Sequence, residues 1–103
     1  MTDVKFYKST RWLSKRDSIL RRDKYECQNC KRYFKSKEAK TVHHIYFYDD
    51  YPKLSLVNWN LVSLCSKCHN MMHNRFDDTP TKLGIILQEK KKKEFETWLT
   101  PPT

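Results

Sequence analysis

The sequence predicts a small α+β domain, and three observations lead there. The chain has 103 residues, the size of one domain, so residues 1–103 are read as a single unit. Helical stretches at its two ends flank a middle rich in β-branched and aromatic residues. Two C-x-x-C pairs, Cys27/Cys30 and Cys65/Cys68, bracket that middle. Only 38% of the residues are hydrophobic and 32% are charged, so the core is modest and a metal staple would stabilise it usefully.

The elements follow in chain order. "STRWLSKRDSILRRD" reads as a helix over about residues 9–23, with Ser9 or Thr10 as its cap. Trp12, Arg16, Ile19 and Leu20 fall near one face at helical spacing, and Arg11, Lys15, Arg21 and Arg22 make a basic exterior. The first cysteine pair comes next, then the polar, basic connector "KRYFKSKEAK". "TVHHIYFY" has the composition of a strand, "DDYPK" of a loop, and "LSLVNWNLVSLC" of a second strand or extended segment. "KCHNMMHNR" begins a helix and "DDTPTKLG" breaks the pattern. "IILQEKKKKEFETWL" reads as a C-terminal helix over about 85–99, with Ile86, Leu87, Phe95 and Leu99 as packing candidates, and "TPP" ends the chain.

Charge narrows the class of partner. The net charge is +9, of which residues 1–37 carry +8 and residues 38–103 only +1. A basic half suits a polyanion, nucleic acid first. A membrane is the weaker alternative, because the longest aliphatic-rich run is the short "LGIIL" at 83–87. "MTDVKFYKST" lacks the apolar centre of a signal peptide, so a cytoplasmic location is expected. In that reducing compartment Cys27, Cys30, Cys65 and Cys68 read as a four-thiolate structural zinc site, the alternatives being two disulfides or redox chemistry. The run of lysines at 90–93 reads as a solvated face. Tyr46, Phe47, Tyr48 and Tyr51 read as packing residues, with base stacking as the alternative. Arg75 and Lys67 are candidate phosphate contacts.

All four histidines sit in two short segments, "VHHI" and "CHNMMH". His69 and His73 are spaced i, i+4, which on a helix puts both rings on one face, close enough to share an ion. A surface pair, or a histidine substituting in the cysteine site, are the competing readings. His43 and His44 are neighbours on a predicted strand, so their side chains point to opposite faces and do not share an ion. One ligand and one general base is a natural division, since a free imidazole titrates near about 6.5.

The order of strand with His-His, loop, "NWNL", cysteine knuckle and His-x-x-x-His strongly resembles the HNH endonucleases with a ββα-metal fold. "VHHI", Asn60 in "NWNLVSLC" and "CHNMMH" carry the resemblance, together with the two C-x-x-C pairs. It covers roughly residues 5–75 and places the ββα-metal core at about 40–76. The basic leader also resembles that of small free-standing phage and prophage members. The resemblance implies a metal-dependent DNA endonuclease leaving a 5′-phosphate and a 3′-hydroxyl. Carried over, His43, His69 and His73 hold the catalytic ion, His44 is the general base, and Asn60 ties a loop that keeps the base in register. Asn58 is the rival for that last role. Many family members have Asp-His where this chain has His43-His44, and the His-His form resembles bacterial DNase colicins. The implied working ion is Mg²⁺ or Mn²⁺, with Ni²⁺ or Zn²⁺ as alternatives at an all-imidazole site. DNA would be bound in part by Arg11, Lys15, Arg21, Arg22 and Arg75. A phage terminase is the partner the resemblance offers, and the host cytoplasm the location if the chain is phage encoded.

Two other functions compete. A non-catalytic, zinc-stabilised DNA-binding module on the same scaffold is the alternative. A C₂H₂ finger fails because no histidine follows His43 three to five residues on. A zinc deaminase needs H-x-E and P-C-x-x-C, and neither is present.

Overall fold

The computed structural model describes residues 4–100; Met1–Asp3 of the N-terminal stretch and Pro101–Thr103 at the other end lie outside them. The described chain runs α1 (Val4–Tyr7), α2 (Thr10–Arg22), α3 (Gln28–Arg32), β1 (Thr41–His44), β2 (Leu61–Leu64), α4 (Ser66–Asn70), α5 (Lys82–Lys90) and α6 (Lys92–Leu99). Short 3-10 turns at Pro52–Leu54 and Asn58–Asn60 precede β2. The α+β class is the predicted one. Among the described residues no helix is long and apolar enough to cross a membrane.

Ser9 caps α2: its Oγ accepts from the Trp12 N–H at 3.2 Å, satisfying one of the free donors of the first turn. Trp12, Ile19 and Leu20 bury one face of α2 against Ala39, Val42 and Leu61. Each such side chain contributes about 1.5–3 kcal/mol on burial. The end of α2 is stitched to the β2 region by polar contacts. Arg22 donates to the carbonyls of Asn58 (2.9 Å) and Leu61 (2.7 Å), and the Asp23 carboxylate accepts from the Ser63 N–H at 3.0 Å. Two successive left-handed residues, Lys24 and Tyr25, then reverse the chain into the first cysteine pair.

β1 and β2 pair antiparallel, with Thr41 opposite Leu64 and His44 opposite Leu61. The alternation of β1 decides the site. Val42 and His44 face α2, whereas His43 faces α4 and Phe47.

Four predicted elements need correction, the first being "TVHHIYFY", which is strand only over Thr41–His44. α4 ends at Asn70, so His73 is not on the same helix as His69. It lies beyond, in a bridge with Pro80, because the Met72 carbonyl accepts from Thr81 N–H and turns the chain into the start of α5. The "LSLVNWNLVSLC" segment is strand only from Leu61 to Leu64. The C-terminal helix is two helices that meet at Lys91. The break resets the helical phase: Leu83, Leu87, Phe95 and Trp98 face the core, while Ile86 and Leu99 are exposed. The single glycine of the chain has a packing reason. A Cβ at Gly84 would lie 2.7 Å from the Met72 carbonyl oxygen, so glycine lets α5 press against the turn that carries His73.

Candidate active site and metal clusters

Two clusters of ligand atoms stand out among the described residues. The four cysteine sulfurs lie within 4.8 Å of one another, and all four thiols are free. Cys27 caps α3 and Cys65 caps α4, so each C-x-x-C straddles the start of a short helix. Cys30 Sγ is 3.9 Å from Cys65 Sγ and 3.6 Å from Cys68 Sγ. A tetrahedral ion with Zn–S bonds of about 2.3 Å sets its sulfurs about 3.8 Å apart, so the cluster fits zinc. Burial, then hydrogen bonds with Cys68, Cys27 and Cys65, push the Cys30 thiol up to about 12. Burial also acts to raise Cys65, but hydrogen bonds from the Cys68 N–H and from the other thiols bring it down to about 7. Without a cation the four cannot all ionise; a divalent ion removes that conflict. The Asn29 side chain donates to Cys68 Sγ at 3.4 Å and thereby supports a thiolate.

The second cluster is His43, His69 and His73, whose ligand atoms also lie within 4.8 Å of one another. β1, α4 and the turn after α4 deliver one each. The ring centroids form a near-equilateral triangle: 5.2 Å for His43–His69, 5.2 Å for His43–His73 and 5.1 Å for His69–His73. His43 is buried, yet neither ring nitrogen has a hydrogen-bond partner, and His73 Nε2 is likewise buried and unpartnered. Orphaned buried polar atoms are costly, and convergent imidazole lone pairs are what a divalent ion requires. Burial, then the neighbouring His69, His73 and His44, hold His43 well below the usual imidazole range; burial and His73 lower His69 too. Neutral imidazoles are the ligand form. His73 is oriented from behind: its Nδ1–H donates to the Asp78 carboxylate at 2.8 Å, which turns Nε2 toward the other two rings. Phe47 stacks on His73 at 4.3 Å and walls the site.

His44 stands apart from this triangle. Its ring stacks on Trp12 with centroids 4.8 Å apart. Its Nε2 lies 3.0 Å from the Ser55 carbonyl, an acceptor only, so Nε2 carries the proton and Nδ1 keeps a lone pair. The Tyr7 hydroxyl donates toward that Nδ1 at 3.4 Å. Burial drives the His44 imidazole down to about 4, against the opposing hydrogen bond to Ser55, with His69 lowering it further.

Asn60 is fully buried, and its amide oxygen and nitrogen are both hydrogen-bonded. Oδ1 accepts from Tyr46 N–H at 2.7 Å; Nδ2 donates to the carbonyls of Tyr46 and Leu54, both at 3.1 Å. One side chain thus pins both ends of the loop between β1 and the first 3-10 turn. Asn58 is at the surface, with its side chain accepting from Lys15 at 2.8 Å.

An open cleft of about 1070 Å³ runs past His43, His44, His69 and His73. Arg75 borders it, along with Arg16 and Lys40, two cations that the sequence reading did not place in a site. Helical spacing does put Arg16 beside Trp12, but nothing local shows that this face opens onto the histidines. Nor does the sequence signal Tyr7 or Asp78, which reach their histidines only through the fold. Arg11 borders a neighbouring hollow that shares Tyr48 with the cleft, and Arg21 is exposed on α2. Lys15 and Arg22 are engaged with the Asn58–Leu61 segment instead.

A family model described as HNH endonuclease matches residues 27–75. The chain is similar to the crystal structure of the deep-sea thermophilic bacteriophage GVE2 HNH endonuclease with manganese ion. The TM-score is 0.62 and the identity 31%, over 85% of this chain and 80% of that one. No curated protein matches the sequence.

Proposed function

The chain belongs to the HNH endonuclease family, and from that membership we propose a metal-dependent DNA endonuclease in which His43, His69 and His73 hold the catalytic ion and His44 is the general base. The observation that carries this is the histidine triangle with its unpartnered, buried ring nitrogens. When bound, a divalent ion there supplies positive charge to the phosphate and to the departing 3′ oxygen. The manganese in the similar phage protein supports Mg²⁺ or Mn²⁺ as the working ion, with Ni²⁺ or Zn²⁺ as alternatives; zinc is the proposed ion of the cysteine cluster.

The residues of the chain divide the remaining work. With the long Tyr7 hydrogen bond at His44 Nδ1 given up to water, Nδ1 takes a proton from that water as it attacks phosphorus, while Nε2–H stays on the Ser55 carbonyl and fixes the tautomer. Trp12 holds the ring plane from one side. Asn60 is a positioning residue: it fixes the Leu54 carbonyl, one residue before the carbonyl that orients the base. Arg16, Lys40 and Arg75 offer cations to DNA phosphates along the cleft, and Arg11 and Arg21 extend the basic surface over α2. A phage or prophage origin and action in the host cytoplasm belong to the same proposal, supported by the phage relative; a terminase partner in genome packaging is part of it on the family resemblance alone.

The test compares wild type, His43→Ala and His44→Ala on supercoiled and linear DNA across a series of divalent metals, with calorimetric metal titration alongside. Loss of His43 weakens binding of the catalytic ion. Loss of His44 leaves metal and DNA binding nearly intact while turnover falls roughly 10²–10⁴-fold. If His44→Ala abolishes metal binding and His43→Ala keeps it, the roles are reversed; cleavage by both variants at the wild-type rate sinks the reading.

A further inference from the structure

We propose that the Tyr7 hydroxyl is a further catalytic contact, which holds the attacking water against His44 Nδ1 by accepting that water's second hydrogen. The proposal rests on the nuclease reading and adds to it a group that fixes where the nucleophile sits.

His44 offers the water one atom. Nε2 is committed to the Ser55 carbonyl at 3.0 Å, so only Nδ1 has a lone pair to take a proton. One hydrogen bond to a base leaves a water free to turn about that bond. A second bond fixes the direction of the lone pair that must meet phosphorus. Tyr7 Oη stands where such a bond is needed, 3.4 Å from Nδ1, and Tyr7 lines the same cleft as the four histidines.

Packing aims the ring. It meets Trp12 edge-on with centroids 5.5 Å apart, Phe6 at 5.1 Å and the His44 ring at 6.0 Å. Trp12 also stacks on His44, so one indole positions both the base and the tyrosine. α1 is anchored by Phe6, whose ring stacks on Tyr48 at 4.5 Å and whose carbonyl accepts from the Ser9 N–H (3.0 Å) and hydroxyl (2.6 Å). A phenylalanine at position 7 could make the same ring contacts. What tyrosine adds is an oxygen beside the base.

The direct bond from Tyr7 to His44 is long, against a usual value of about 2.8 Å, so little is lost when water replaces it. A water about 2.8 Å from both atoms, with one O–H directed to each, sets them about 4.4 Å apart, so the hydroxyl need retreat only about 1 Å. In the step itself the water gives one hydrogen to Nδ1 and keeps the other on Tyr7 Oη. Its lone pair forms the new bond to phosphorus, and the electrons of the P–O3′ bond leave with the 3′ oxygen, which takes up a proton from solvent. Tyr7 neither gains nor loses a proton.

The experiment uses the full chain with Mn²⁺ and a DNA duplex, and compares wild type with Tyr7→Phe, which keeps the ring and removes the oxygen. Steady-state cleavage gives kcat and KM, calorimetry the Kd for Mn²⁺, and thermal denaturation Tm. In Tyr7→Phe, kcat should fall roughly 3- to 10-fold, the worth of one neutral hydrogen bond, with KM, the Kd for Mn²⁺ and Tm unchanged. A wild-type kcat overturns the proposal. So does a raised kcat, which would make the hydroxyl a competitor of the water, and so does a loss confined to KM or to the folded fraction, which would make it structural. Absence of cleavage by the wild type sinks the nuclease reading, whereas cleavage by the wild type and Tyr7→Phe at equal rates sinks only this one.

Discussion

Removing the Asn60 amide should cost this domain both stability and turnover. In Asn60→Ala the Tyr46 N–H loses a 2.7 Å bond in a fully buried setting, and the carbonyls of Tyr46 and Leu54 lose a shared donor. The Leu54 carbonyl still accepts from the Val57 N–H, so the orphaned Tyr46 N–H dominates the loss. An unsatisfied buried donor costs about 1–3 kcal/mol, and the small cavity left by the amide adds to it. A total of roughly 2–5 kcal/mol is a large share of the stability of a domain this size. It corresponds to a fall in Tm of roughly 10–30 °C. Thermal denaturation measures that fall. Cleavage per folded molecule, assayed where the variant is still folded, measures the positioning role, and it should drop at least roughly 10-fold because the Leu54 carbonyl, one residue before the Ser55 carbonyl that orients His44, loses one of its two donors. Asn60→Asp sharpens the test. It keeps the acceptor for Tyr46 but turns an oxygen toward two carbonyls, so it should recover stability on acidification as the buried carboxyl protonates. A Tm within a few degrees of wild type, or undiminished cleavage per folded molecule, would refute the reasoning.

The remaining predictions concern the rest of the framework. Metal analysis should find about one tightly bound zinc per chain, and Cys27→Ser or Cys65→Ser should unfold or strongly destabilise the protein, because metal binding is coupled to folding; a stable, zinc-free protein with free thiols counts against it. Asp23 should contribute to acid sensitivity. Burial opposes its ionisation, but hydrogen bonds from Arg22 and Ser63 win and hold its carboxyl below the ordinary value. Its contribution is therefore present above about pH 4 and lost as pH falls through the depressed folded value. Asp23→Asn should lower stability at neutral pH by roughly 1–3 kcal/mol, with the deficit narrowing in acid, as urea titrations at several pH values would reveal. Neutralising Arg11 and Arg21 should weaken DNA binding and flatten its dependence on salt. Arg22 is unsuitable for that test, since its guanidinium holds the Asn58 and Leu61 carbonyls and its loss would perturb the fold; an unchanged salt slope in the Arg11/Arg21 variant would place the DNA footprint elsewhere.

What the sequence determined by itself is local chemistry at fixed spacing. Each C-x-x-C defines one half of a thiolate site because three residues suffice to bring its two sulfurs to one helix start. Ser9 and the spacing of Trp12, Ile19 and Leu20 define α2 because cap and periodicity act within a few turns. The alternation of a strand separates His43 from His44 whatever the strand packs against. The tertiary structure alone decided the rest. The spacing of His69 and His73 suggests a shared helix, yet α4 stops at Asn70 and His73 is delivered by the turn that the Thr81–Met72 bond closes. Asp78 behind His73, Ser55 behind His44, and Arg16 on the cleft are partners whose positions depend on loop closure, not on any local signal. Ile86 and Leu99 look like core by a period that Lys91 interrupts. Short-range preferences act through a few bonds of backbone, whereas hydrogen-bond partners of buried groups are fixed by which distant segments the core brings together.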